Sequence, residues 1–147
     1  MKTHTDFPKQ KPKRSQEIAR YALGGFMSFA GVAHLTFARG EFQAQVPDWF
    51  PLGEDFTVLA SGAAEIGLGA ALLGFPQRRR QAGIALAVFY VLIFPGNIAQ
   101  YAEGTDGFGL DTDGKRLARL FFQPPLIAAA LWAGGIPRAH RRAAPRR

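Results

Sequence analysis

The chain has 147 residues, 48% of them hydrophobic, with 18 Lys and Arg against 11 Asp and Glu and a formal net charge of +7. It contains no cysteine, which excludes disulfides, thiol redox chemistry and cysteine-ligated metal centres. The length predicts one domain. The positive charge would suit nucleic acid, but the basic residues flank apolar runs and form no stripe on a polar fold, so we expect no nucleic-acid partner.

The chain begins with a polar arm followed by an apolar run. Residues 1–17 are basic, polar and proline-containing, and we predict that they form a disordered arm. Residues 18–38 are apolar over a length that can cross a bilayer. No A-x-A cleavage site follows this run, so we expect the segment to be retained and not removed as a secretory signal.

Residues 39–55 form a loop with an apolar minority. Four of its apolar residues follow a helical spacing, so we expect part of the loop to lie on the membrane surface. These residues are Phe42, Val46, Trp49 and Phe50. Pro47 and Pro51 argue against a long helix there.

The second apolar run, residues 56–75, is the clearest predicted membrane span. It is FTVLASGAAEIGLGAALLGF, with no Lys, Arg or Asp and a single carboxylate, Glu65. As a helix it would be about 30 Å long, the thickness of the hydrocarbon core of a bilayer. A core helix of a soluble protein is rarely apolar on all sides over this length, so we predict a membrane span.

The remaining elements are a basic turn, two further spans separated by a Gly- and Asp-rich loop, and a basic tail. In chain order they are residues 76–80, 81–102, 103–116, 117–136 and 137–147. Pro95 interrupts the third span, and Pro124 and Pro125 lie inside the fourth. Prolines free backbone carbonyls that other groups or water must satisfy. We therefore predict an all-α protein, a four-transmembrane-helix bundle over residues 18–136.

The basic residues predict the orientation of this bundle. Four spans put both termini and the 76–80 turn on one side, and that side holds every Lys and Arg except Arg39, Lys115, Arg116 and Arg119. Eight of the 11 acidic residues lie on the opposite side. Because basic residues near span ends favour the cytoplasmic side, we predict cytoplasmic termini and a multi-pass membrane protein in contact with lipids.

Each predicted span carries a polar group between the midplane and the outer face. Helix rise places Glu65 about 13 Å below the outer end of its span, near the midplane, and His34, Asn97 and Gln123 about 6–9 Å below theirs. We predict that these groups converge on one pocket that opens outwards. The full candidate set is His34, Ser61, Glu65, Asn97, Tyr101, Arg119 and Gln123.

Glu65 needs the most explanation, because an acid at the centre of a span costs about 3 kcal/mol on insertion scales. We expect it to be neutral or paired with His34 or Arg119, and a neutral carboxyl there could exchange a proton or donate to a ligand carbonyl. The alternatives are simpler. Glu65 could be a packing residue bonded to Ser61 or Asn97, and the other polar groups could be interhelical bonds or interface residues.

No metal or haem motif is predicted. The DTDG run at residues 111–114 lacks the spacing and the closing Glu of a calcium loop, so a turn is the better interpretation. A single intramembrane histidine cannot supply both axial ligands of a bis-histidine haem.

Four segments give the chain a resemblance to a known family. They are GFMSFAGVAHLTF (25–37), VPDWFP (46–51), SGAAEIGLGAALL (61–73) and FPGNIAQY (94–101). In this order they resemble the DoxX-like family of small four-span bacterial membrane proteins. The resemblance implies a bacterial inner-membrane protein. It also implies redox roles, since some relatives are the small subunit of a thiosulfate:quinone oxidoreductase or membrane partners of detoxifying oxidoreductases.

The function expected from these observations is an accessory or anchoring subunit of a quinone-linked membrane redox system. Its partners would be an oxidoreductase subunit, soluble or membrane-bound, or further copies of itself. One alternative is a component that binds quinone or lipid directly and takes part in oxidoreduction. Another is a small proton-coupled transporter. The chain contains no complete catalytic motif, so enzymatic activity stays open.

Overall fold

The computed structural model describes residues 11–137, and these form five α-helices, a short 3-10 helix and no strand. The helices are α1 Arg14–Leu35, α2 Arg39–Gln43, α3 Glu54–Gly74, α4 Arg79–Glu103 and α5 Asp113–Ala133. The 3-10 helix Pro76–Arg78 joins α3 to α4. Residues 1–10 of the predicted arm and residues 138–147 of the predicted tail lie outside the described residues. The all-helical class is therefore confirmed.

The helix ends follow ordinary capping chemistry. Gln16 caps the start of α1, where its side-chain oxygen accepts from the Lys13 backbone N–H at 3.1 Å. Thr112 accepts from Lys115 N–H at the start of α5. Gly104 follows α4 in the left-handed conformation that ends many helices.

Two close helix pairs make up the bundle. α1 packs most extensively on α3, and α4 on α5. Glycines allow the first contact: a Cβ added to Gly31 would lie 2.5 Å from the carbonyl oxygen of Gly62, and one added to Gly69 would lie 2.7 Å from that of Gly24. Small residues let helices approach to backbone contact, and that approach sets the position of every side chain between α1 and α3.

The outer surface of the bundle is strongly apolar. Two helical segments, Glu54–Gly74 and Pro76–Glu103, are long and apolar enough to cross a membrane, and only 28% and 39% of their most apolar stretches is buried. A core helix of a soluble protein would be mostly buried, so this exposure favours membrane association. Large apolar side chains are also exposed on α1 and α5, among them Phe29 at 63% and Phe121 at 71%.

The structure differs from the predicted layout at several boundaries. α1 begins at Arg14, because the Lys13–Gln16 cap starts the helix inside the segment predicted as a disordered arm. α5 begins at Asp113, four residues before the predicted span. Pro95, Pro124 and Pro125 lie within continuous helices, so the prolines do not interrupt them.

Two arginines join the helices at the end of the bundle where α1 begins. Arg20 is 2% exposed and its Nη1 donates to the carbonyls of Leu72 and Leu73 at the end of α3. Arg79 donates to the carbonyl of Ala133 at the end of α5. Both arginines also bond Glu17. Arginine side chains thus satisfy carbonyls that helix C-termini leave free.

Candidate ligand pocket

His34 and Glu65 meet between α1 and α3. Nδ1 of His34 lies 2.8 Å from Oε2 of Glu65, and both side chains are 8% exposed. The backbone contact of Gly31 with Gly62, one turn before each of them, brings the two helices close enough for this. Because an acid in the middle of a span is costly, we expected Glu65 to be neutral or to pair with His34 or Arg119. The structure places it beside His34.

The His34 nitrogen has a second neighbour. Nδ1 also lies 2.9 Å from the carbonyl oxygen of Ala30 in its own helix. One N–H cannot point along both directions, and its geometry favours the carbonyl, so Glu65 Oε2 is close to the ring but has no well-directed hydrogen bond. One face of the His34 ring is covered by Phe42 of α2, which stacks on it with an angle of 16° between the ring planes. The carboxyl of Glu65 therefore keeps hydrogen-bonding capacity for another group.

A chain of polar side chains faces this pair from α4 and α5. Arg119 Nε donates to Asn97 Oδ1 at 3.1 Å, and Asn97 Nδ2 donates to Gln123 Oε1 at 3.2 Å. Gln123 in turn donates to the backbone carbonyl of Tyr90. This carbonyl lies one position before that of Val91, which Pro95 deprives of its usual donor. Asn97 and Gln123 therefore form hydrogen bonds between α4 and α5, and Asn97 also orients the side chain of Arg119.

Residues 44–53, which we call the cap segment, cover the end of the bundle where α3 begins. Arg119 Nη2 donates to Gln45 Oε1 at 2.9 Å, which ties this segment to α5. The preceding helix α2 is held in place by Glu41, which accepts from Phe108 N–H at 2.7 Å. Val46 and Phe50 of the cap segment turn inwards, and Trp49 is 63% exposed at the edge. The predicted membrane-surface segment is thus a short helix and a cap over the bundle.

These elements enclose one cavity of about 330 Å³. Most of its wall is apolar, and polar atoms come from a few side chains on all four long helices and the cap segment. Those polar side chains are His34, Gln45, Thr57, Ser61, Glu65, Asn97 and Arg119. An apolar cavity of this size with a few convergent polar groups is the usual form of a small-molecule site.

The structure brings most of the candidate set together. His34, Ser61, Glu65, Asn97 and Arg119 line the cavity. Gln123 is buried behind Asn97 and reaches the cavity only through it. Tyr101 is 37% exposed and is not part of the wall, because the inward direction at the last turn of α4 belongs to its neighbour Gln100.

Sequence reasoning missed three polar side chains. Gln45 lies in a loop, and no periodic pattern in the sequence predicts that this loop folds over the bundle. Gln100 is 2% exposed, and neither atom of its amide has a partner among the described residues. Arg20 was counted as an orientation signal only, although its place within the apolar run could have suggested a buried role. In residues 11–137 no group of three His, Asp or Glu residues is arranged to hold a metal ion.

Over residues 11–137, the fold and the pocket define an all-helical protein with a membrane-type apolar surface and an amphipathic cavity. By comparison with known families, residues 23–134 match the family described as a domain of unknown function, DUF8561. The chain belongs to this family, since the match covers most of its length. No curated protein and no solved structure matches it.

Proposed function

We propose that the protein is a four-span bacterial inner-membrane protein whose cavity binds the polar ring of a lipid-soluble, quinone-type molecule. In this role it serves as an accessory subunit of a membrane redox system. The observation that carries the proposal is that His34, Glu65, Asn97 and Arg119 share one largely apolar cavity.

The lengths and surfaces of the long helices support four spans, although within residues 11–137 only the segments Glu54–Gly74 and Pro76–Glu103 are apolar enough to cross a membrane by composition alone. α1 and α5 have 22 and 21 residues, about 30 Å of helix each, comparable with α3. Their charged residues lie towards the ends, and apolar side chains such as Phe26 and Phe122 are exposed between them. With both termini cytoplasmic, the cap segment lies on the outer side and the cavity in the outer half of the membrane.

Membership in the DoxX-like group is part of the same proposal. The four segments that carry the resemblance all contribute to the cavity wall. The first gives His34, the second Val46, Pro47, Trp49 and Phe50, the third Ser61 and Glu65, and the fourth residues 95–97. Segments far apart in sequence that share one cavity are more simply explained by a common ligand than by packing alone.

A quinone-type ring matches the chemistry of the wall. The flat ring would lie against Val58, Ile93 and Phe50, and aromatic packing adds to the burial of its apolar faces. Arg119 donates hydrogen bonds to a ring carbonyl, and Glu65 has free capacity to accept from a ring hydroxyl or, when neutral, to donate to a carbonyl. His34 beside Glu65 can take up or return a proton. Electrons would come from the partner oxidoreductase.

Fluorescence of Trp49 tests this proposal. Trp49 lies at the cavity edge, and in a Trp132→Phe background it is the only tryptophan. Titration with a short-chain quinone in detergent should quench it saturably. Glu65→Gln and Arg119→Gln should each weaken the apparent affinity about tenfold, the cost of a lost charged hydrogen bond.

The matched control is Lys115→Gln, a charge change at the same end whose side chain bonds Asp111 and lies outside the cavity wall. It should leave the affinity unchanged. Non-saturable quenching, or equal affinities for all three variants and the parent, would refute quinone binding in this cavity.

A further inference from the structure

A second cavity lies at the opposite end of the bundle. It is an open groove of about 540 Å³ between α1 and α5, with an almost wholly apolar wall. The wall is formed mainly by Ala19, Ala128, Ala129, Leu131, Trp132 and Ile136. The groove exists because the alanine side chains are small, and the larger residues Trp132 and Ile136 form its rim near the end of α5.

A positive charge stands at the rim of the groove. The Nζ of Lys13 lies over the ring of Trp132, 5.3 Å from its centroid. Lys13 is also the residue before α1, so the partial positive charge of that helix N-terminus adds to it. The acid nearest in sequence, Glu17, is bonded to Arg20 and Arg79 and does not neutralise Lys13.

The groove runs along the helices, from their ends towards the middle of the bundle, as an acyl chain runs in a membrane leaflet. Lys13 and Ile136 lie at the level of the inner helix ends, whereas Ala19 and Ala128 lie about 7–9 Å deeper along their helices. A molecule that fits both parts has an anionic head at the rim and a hydrocarbon chain running towards the membrane centre.

We propose that this groove is a binding site for an anionic phospholipid of the cytoplasmic leaflet, with the phosphate at Lys13 and one acyl chain against Ala19 and Ala128. The site rests on the membrane placement proposed above but not on the quinone cavity, which is at the other end of the bundle. Charge complementarity favours this occupant: Lys13 stands at the rim, the proposed topology assigns 14 of the 18 basic residues of the sequence to this side, and the cytoplasmic leaflet is rich in anionic lipid.

Trp132 reports the occupant directly. In the full chain carrying Trp49→Phe, Trp132 is the only tryptophan. The protein is placed in phosphatidylcholine bilayers that contain a small fraction of a brominated lipid. This lipid is either phosphatidylglycerol or phosphatidylcholine, and in both cases the bromine atoms lie near the head group. Selective binding predicts at least about twofold stronger quenching by the brominated phosphatidylglycerol. Equal quenching by the two lipids would overturn the proposal.

Two pairs of variants separate a site from general attraction. Lys13→Ala should remove most of the preference for phosphatidylglycerol, because one basic residue near the surface contributes roughly a factor of five to the affinity for anionic lipid. Arg80→Ala removes an exposed charge at the same end and should leave the preference unchanged. Ala128→Leu should fill the slot and abolish the preference, whereas Ala118→Leu, exposed on the same helix outside the groove, should not. Equal losses within either pair would show that no specific site exists.

Discussion

Nδ1 of His34 lies 2.8 Å from Oε2 of Glu65, with both side chains nearly buried between α1 and α3. The contact exists because the backbones of the two helices touch at Gly31 and Gly62. An acid near the middle of an apolar helix is tolerated when a partner lies within reach. The chemistry of the cavity therefore depends on how closely two glycine faces approach.

The first prediction concerns that approach. Gly31→Ala should destabilise the protein by about 1–3 kcal/mol, because its Cβ would collide with the Gly62 carbonyl and push the helices apart. Gly25→Ala, on the same helix but with no atom within 4 Å of its added Cβ, should be close to neutral. Unfolding by SDS titration measures both. Equal midpoints for the two variants would contradict the close packing.

The second prediction concerns the cap segment. Gln45→Ala removes the hydrogen bond from Arg119 that ties residues 44–53 to α5. Loss of a bond to a charged donor should raise hydrogen exchange of the cap amides about tenfold. Asp48→Ala, an exposed change in the same segment, is the control and should have no effect. If exchange is the same in both variants, Arg119 does not hold the cap.

The third prediction is a pH dependence of stability at the end of the bundle where α1 begins. Glu17 lies in the first turn of α1, before the predicted span. Burial alone would raise its pKa, but the hydrogen bond from Arg20 and the charge of Arg79 outweigh burial and hold the pKa below the usual 4.5. A lowered folded-state pKa contributes stability that is complete above the unfolded value and is lost as the pH falls through the folded value.

Glu17→Gln should therefore lower stability by roughly 2 kcal/mol at neutral pH, through lost charged hydrogen bonds. The difference from the parent should stay constant down to about pH 5 and shrink below the usual carboxyl pKa. Thermal unfolding midpoints in detergent at several pH values measure this. A difference that is unchanged at low pH would show that Glu17 is not charged in the bundle.

The fourth prediction tests the topology. The chain has no cysteine, so single cysteines can be introduced without a background. Asp48→Cys and Asp111→Cys should react with a membrane-impermeant maleimide on intact cells whose outer layers are permeable to it. Gln77→Cys should react only after the inner membrane is opened. Labelling of Gln77→Cys in intact cells would contradict four spans with cytoplasmic termini.

The sequence predicted where the helices lie, because apolar run length and charge asymmetry reflect the solvent around the helix more than its packing partners. Depth along each helix also grouped His34, Glu65, Asn97 and Gln123, since residues at similar depth in a bundle of similar helices are near one another. The first three line the cavity, and Gln123 lies behind Asn97. The face of the helix on which a residue lies was harder to predict. Tyr101 is four residues after Asn97, a spacing that favours the same face, but Gln100 is the buried residue at that turn and Tyr101 is exposed.

Other parts depend on tertiary contacts that have no sequence period. The cap segment and the preceding helix α2 are held over the cavity by single hydrogen bonds, those of Gln45 and Glu41 respectively. The early start of α1 depends on a local cap formed by Lys13 and Gln16. The buried position of Arg20 depends on the end of α3 lying beside it, which requires knowing which helices pair.

The most direct test of the account is photochemical mapping of the ligand. The parent protein in membranes would be irradiated with an azido-quinone and the attachment sites located by mass spectrometry. A quinone bound in this cavity should attach within residues 45–50, 57–65 and 92–97, and the attachment should be lost in Glu65→Gln and when excess unmodified quinone competes. Attachment spread over the lipid-exposed faces, unchanged by the variant or by competition, would contradict a quinone site in the outer half of the bundle.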